Sequence, residues 1–141
     1  MKKLYHTEVV NDQGMSGSAF VKGDHELAVV TSSPTSSDPG TNPEQLLALS
    51  WATCLNATLE ILLKKRGIDK KSRVEVHIDY MEDENSNHYF SLNLFASIET
   101  MSVEEATPLV EEAQKRCPVS KIVGHYEHVS STVVLFEEER S

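Results

Sequence analysis

The chain has 141 residues and a mass of 15.7 kDa, with 39% hydrophobic and 25% charged side chains, which suits one soluble domain, 1–141, around one hydrophobic core. Its 13 basic and 22 acidic side chains leave a net charge of −9, which repels a phosphate backbone and an anionic membrane surface and argues against nucleic acid or membrane as partners. The first residues carry no apolar signal stretch, so we expect a reducing, cytoplasmic location, where the two cysteines read as reactive or inert thiols rather than a structural bridge.

The first third alternates polar and apolar residues between turn formers. Residues 5–10, 16–21 and 26–31 read as strands, joined by Asn11-Asp12-Gln13-Gly14 and by Lys22-Gly23-Asp24-His25. Residues 32–41, rich in Ser, Pro, Asp and Gly, form a loop. A helix then opens with three start signals in register: Asn42 as N-cap, Pro43 at the first helical position and Glu44 in the first turn. It stops at Lys64-Lys65-Arg66-Gly67, where cations meet the last carbonyls and glycine supplies a left-handed cap. This helix runs ~35 Å and is apolar over most of its circumference. Residues 46–63 could be mistaken for a membrane span, but Ser50, Thr53, Asn56, Thr58 and Glu60 would be costly in lipid, so a central helix buried in a soluble core is expected.

Residues 73–80 and 89–98 alternate as strands, with residues 82–88 as the hairpin loop. Ser102-Val103-Glu104-Glu105 reads as a capping box opening a second helix, with Ala106, Leu109, Val110 and Ala113 on one face. Pro118 ends that helix near Cys117, because it disfavours helical geometry in the residue before it. Residues 129–136 form a last strand and 137–141 a charged tail. The order βββ-α-ββ-α-β implies an α+β fold, antiparallel sheet around one long helix.

Cys54 sits about three turns into the long helix, on a face with Leu47, Ser50, Trp51, Thr58 and Ile61. Local sequence leaves two readings open: a small core hydrophobe or a reactive thiol. Cys117 has stronger signals. Pro118 can begin a new helical turn, which places the Cys117 sulfur at an N-cap facing free N–H groups, with Lys115, Arg116 and Lys121 nearby; the end of the preceding helix opposes a negative charge there. Glu44 is explained as a first-turn carboxylate; ten residues of helix, ~15 Å, separate it from Cys54, so any role at that thiol requires a bend or a second subunit. His6, His25, His77, His88, His125 and His128 are scattered, and only His125 and His128 approach ligand spacing, so no metal and no cofactor is expected. The absence of a glycine-rich phosphate loop, Gly-x-Ser-x-Gly and Cys-x-x-Cys argues against nucleotide enzymes, hydrolases and thioredoxin-type proteins.

Thr41-Asn42-Pro43-Glu44-Gln45-Leu46-Leu47, followed by Ala52-Thr53-Cys54, together with Cys117-Pro118-Val119-Ser120-Lys121, resembles the OsmC/Ohr family of bacterial thiol peroxidases. The resemblance spans nearly the whole chain. It implies an intertwined homodimer with its sites at the subunit interface. It further implies Cys54 as the peroxidatic cysteine, Cys117 as the resolving cysteine, Glu44 as the carboxylate that holds an activating arginine, an organic hydroperoxide as substrate, and a dihydrolipoyl group or other dithiol as reductant. One departure bears on activity: neither residues 13–20 nor residues 32–41 contain the arginine the family carries there. Lys22, Arg116 and Lys121 are candidate substitutes, though lysine lacks the guanidinium fork. Leu47, Leu49, Trp51 and Leu55 suit a fatty-acyl or aryl peroxide better than hydrogen peroxide, although they are explained in larger part as ordinary core residues. The reading is therefore a dimeric thiol peroxidase; the alternative is a redox sensor or apolar-ligand-binding dimer with weak turnover.

Overall fold

The computed structural model describes residues 1–23 and 26–137, so Asp24 and His25 of the second predicted turn and residues 138–141 of the tail lie outside the described residues. The chain divides into two compact units, Met1–Leu46 and Leu47–Ser141, with helix α1 (Pro43–Lys65) continuous across the division.

The N-terminal unit is a three-stranded antiparallel meander, β1 (Val9–Asn11), β2 (Gly17–Val21) and β3 (Ala28–Thr31), in the order β1-β2-β3. Its first turn is built by Asn11, whose Oδ1 accepts the N–H groups of Gln13 and Gly14 at 3.2 and 2.8 Å, while Gly14 takes a φ of +78° that a side chain would strain. The strand expected from residue 5 begins only at Val9, because five-residue β2 offers it a partner no farther than Val21. The third strand likewise starts at Ala28 instead of residue 26. Thr41 exchanges backbone hydrogen bonds with Val30 and Ser32, which anchors the end of the loop. Asn42 Oδ1 then accepts the Gln45 N–H at 2.8 Å, the N-cap anticipated from sequence.

In the second unit α1 places Trp51, Leu55, Leu59, Leu62 and Leu63 in the core, a stripe at helical spacing. By length and composition α1 could cross a membrane; here that stripe packs against protein. Burial covers one face only: Leu49 is 64% and Ile61 55% exposed, so the helix is less enclosed than its apolar circumference suggests. Gly67, at φ +69°, closes it with the left-handed cap, its N–H bonded to the Lys64 carbonyl.

Strands β4 (Ser72–Glu82) and β5 (His88–Ile98) form a long antiparallel hairpin. Leu92, Leu94, Ala96 and Ile98 of β5 alternate into the core, as the period of two requires. Helix α2 (Val103–Arg116) has both halves of the capping box between Ser102 and Glu105 and buries Ala106, Leu109, Val110 and Ala113. A short helix α3 (Pro118–Val123) and strand β6 (Val129–Val133) complete the unit. The α+β class and the antiparallel sheets hold with one exception: β6 pairs with β5 in parallel. The connection through α2 and α3 is long enough to return the chain to the other end of the sheet, which a hairpin cannot do. β6 also stops three residues before the predicted end at 136.

Candidate active site

Both thiols belong to the second unit, and both are free. Cys54 stands on α1 one residue before buried Leu55, at the edge of the buried stripe, and is partly exposed. Cys117 is fully buried at the corner between two helices. Its N–H ends α2 by bonding to the Ala113 carbonyl, and its extended backbone (φ −69°, ψ 117°) follows from Pro118, which opens α3. Its sulfur then caps α3, accepting the Ser120 N–H at 3.4 Å.

This arrangement brings Cys117 Sγ to 3.2 Å from Cys54 Sγ, with the thiols hydrogen-bonded across a separation of 63 residues. The Val119 N–H favours charge on both sulfurs, and the Ser120 hydroxyl favours it on Cys117. Burial pushes the Cys54 thiol up; the Val119 N–H opposes that push, and the hydrogen bond and charge of Cys117 add to it. For Cys117 burial is again the largest single influence and opposes the thiolate. Here the hydrogen bonds from the Ser120 hydroxyl and N–H, from Cys54 and from Val119 together outweigh it, and the Cys117 thiol is held below the ordinary range. The sulfurs therefore titrate as one pair, whose first proton leaves easily and whose second leaves reluctantly. Sulfurs this close can join through a small side-chain movement, so the pair has the arrangement of a redox-active dithiol.

Beneath the pair, the Trp51 indole Nε1–H donates to Ser120 Oγ at 2.9 Å in the core. From the sequence, Trp51 is an apolar residue of the core or of a peroxide pocket, and Ser120 a motif member without a role of its own. The legible signal was the spacing Cys117-Pro118-Val119-Ser120, which sets Ser120 three residues after a capping sulfur.

Glu44 is in the N-terminal unit, in the first turn of α1, and its carboxylate Oε2 is buried without a hydrogen-bond partner. Of the candidate cations, Lys22 pairs with Glu8 at 3.1 Å and Arg116 turns to Glu112 at 3.2 Å, while Lys121 is exposed. The remaining described arginines are also engaged, Arg66 with Glu112 and Arg73 with Glu75. Among the described residues, then, each arginine is paired with a carboxylate and none is hydrogen-bonded to the thiol pair. His77 and His88 bond to Glu75 and Glu82, and His128 stacks on Tyr89 with ring centroids 4.3 Å apart.

Residues 35–131 match the family described as OsmC-like protein. The chain belongs to the OsmC family. Over 126 residues it is 30% identical to organic hydroperoxide resistance protein-like 2 of Staphylococcus epidermidis, covering 84% of this chain and 87% of that one. It is similar in structure to a protein of Lactobacillus casei, with 33% identity, a TM-score of 0.88 and coverage of 98% and 96% of the two chains. It is also similar to the organic hydroperoxide resistance protein OhrB of Bacillus subtilis, with 27% identity, a TM-score of 0.77 and coverage of 95% and 100%. This OsmC-family chain thus shares with those proteins the α+β architecture that holds the two thiols.

Proposed function

We propose that the protein is a cysteine-based peroxidase that reduces organic hydroperoxides at the expense of a dithiol. The observation that carries this reading is the 3.2 Å approach of Cys54 and Cys117, one sulfur reachable from solvent and the other enclosed. The names of its relatives, organic hydroperoxide resistance proteins, agree with the substrate class. In the first step a proton passes across the sulfur pair to Cys117, and the Cys54 thiolate attacks the distal peroxide oxygen. The O–O bond breaks, Cys54 becomes a sulfenic acid, and the alkoxide leaves as the alcohol after taking up a proton. In the second step Cys117 attacks the Cys54 sulfur and expels the hydroxyl, which departs as water with one proton. A dithiol then reduces the disulfide by two exchanges, regenerating both thiols and leaving the dithiol as its own disulfide.

Glu44 is assigned to orient a cation toward the thiolate. Its place on another stretch of α1 gives it that role most directly in a homodimer, where the partner's copy can approach. The apolar residues exposed on α1 support such an assembly. Steady-state reduction of an alkyl hydroperoxide with a small dithiol tests the reading. Turnover should fall to background in Cys54→Ser, and equal rates in the two proteins would sink the proposal. A second reading draws on a specific observation, the lack of an arginine hydrogen-bonded to the thiols among the described residues together with the upward push on Cys54. If one equivalent of peroxide forms the Cys54–Cys117 disulfide yet turnover stays negligible, the protein is a redox sensor built on the same pair.

A further inference from the structure

We infer that Trp51 and Ser120 are positioning residues for the thiol pair: the indole N–H fixes the Ser120 hydroxyl so that its proton points at Cys117 Sγ. The inference deepens the peroxidase reading and rests on it for its functional meaning. An indole N–H can only donate, and Trp51 is 1% exposed, so its N–H requires a buried acceptor. It finds Ser120 Oγ at 2.9 Å. A hydroxyl that accepts through one lone pair still has one proton to donate. The acceptor assigned to that proton is the Cys117 sulfur, which the same serine already addresses through its backbone N–H at 3.4 Å and whose charge its side chain favours. Ser120 is itself 5% exposed, so water does not compete for that proton.

Three buried groups from two distant segments thus form a directed chain, indole N–H to hydroxyl to sulfur, which stabilises charge on Cys117. Its consequence for the reaction is to make Cys117 the better holder of negative charge, both when it attacks the sulfenic acid and when it departs during reduction of the disulfide. The titratable group facing Cys117 is Cys54 of α1. Lys115 and Arg116 at the end of α2 and Lys121 on α3 are exposed, and Arg116 is paired with Glu112.

The test uses Cys54→Ser as the parent, leaving Cys117 as the sole thiol, and follows thiolate formation by ultraviolet absorbance against pH. Adding Ser120→Ala should lower the thiolate fraction roughly tenfold at a fixed pH below the midpoint, the scale of a lost hydrogen bond to a charged group. Trp51→Phe should lower it less, and should add nothing once Ser120 is alanine, because it acts through that hydroxyl. Curves that coincide with the parent's, or effects that add in full, overturn the inference. Trp51 is the chain's single tryptophan, so its indole N–H resonance gives a second measurement without a tryptophan variant. That resonance should move as Cys117 titrates in the parent and stay fixed through the same range in the Ser120→Ala protein. A resonance that never moves also overturns the inference. A merely structural role would lower the melting temperature and leave both titrations unchanged. No peroxide enters either measurement, so an inactive protein that shows the shift loses the peroxidase reading and keeps the relay.

Discussion

The two sulfurs are chemically alike, and their surroundings set them apart. Cys54 meets solvent but is pushed toward its protonated form, whereas Cys117 is enclosed and holds charge more easily. An attacking group must be reachable and a resolving group need only be close, so the proposed peroxidase predicts unequal variants. Cys117→Ser should reduce one equivalent of hydroperoxide and then stall at the sulfenic acid, with steady-state turnover well below that of the unaltered protein. Mass spectrometry after a sulfenic-acid trap should find the adduct on Cys54; an adduct-free protein that still turns over would contradict the assignment. Much of this site was legible because its determinants are local. Pro118 dictates the corner at Cys117, and the residues that follow dictate the capping N–H groups. The Trp51 to Ser120 bond was not legible, since 69 residues separate its partners and no spacing rule connects them.

Among the elements, those bounded by side chain to backbone bonds read most directly. Asn42, Gly67 and the Ser102–Glu105 box each fix a helix end through atoms within a few residues. The strands were less legible at their ends, where extent depends on the neighbour: β1 is short because β2 is short, and β6 runs parallel because α2 and α3 intervene. Apolar composition alone also overstated how much of α1 is enclosed. Its outward Leu49 and Ile61 lead to a prediction about association. If a second copy covers this face, Leu49→Asp should weaken self-association at least tenfold, since apolar burial is lost and a carboxylate would be desolvated. Sedimentation equilibrium of the two proteins measures this, and an unchanged mass distribution would remove α1 from the interface.

For the molecule as a whole, the α+β class and the pairing of its two motifs could be anticipated, and α1 runs from one compact unit into the other without a break in pattern. The thiol contact closes 63 residues of chain, from α1 through the β4–β5 hairpin to the end of α2. A covalent link across a loop of that length removes unfolded-chain entropy worth about 4 kcal/mol. Oxidised protein should therefore melt roughly 10 °C above reduced protein, a difference that calorimetry of the two forms would register and that should vanish in Cys117→Ser. The same thermodynamic cycle runs in reverse: native structure lends the sulfurs a high effective concentration and lowers the disulfide's reduction potential by on the order of 90 mV relative to the unfolded chain. A reductant strong enough to restore the thiols must therefore work against folding free energy as well as against a sulfur–sulfur bond.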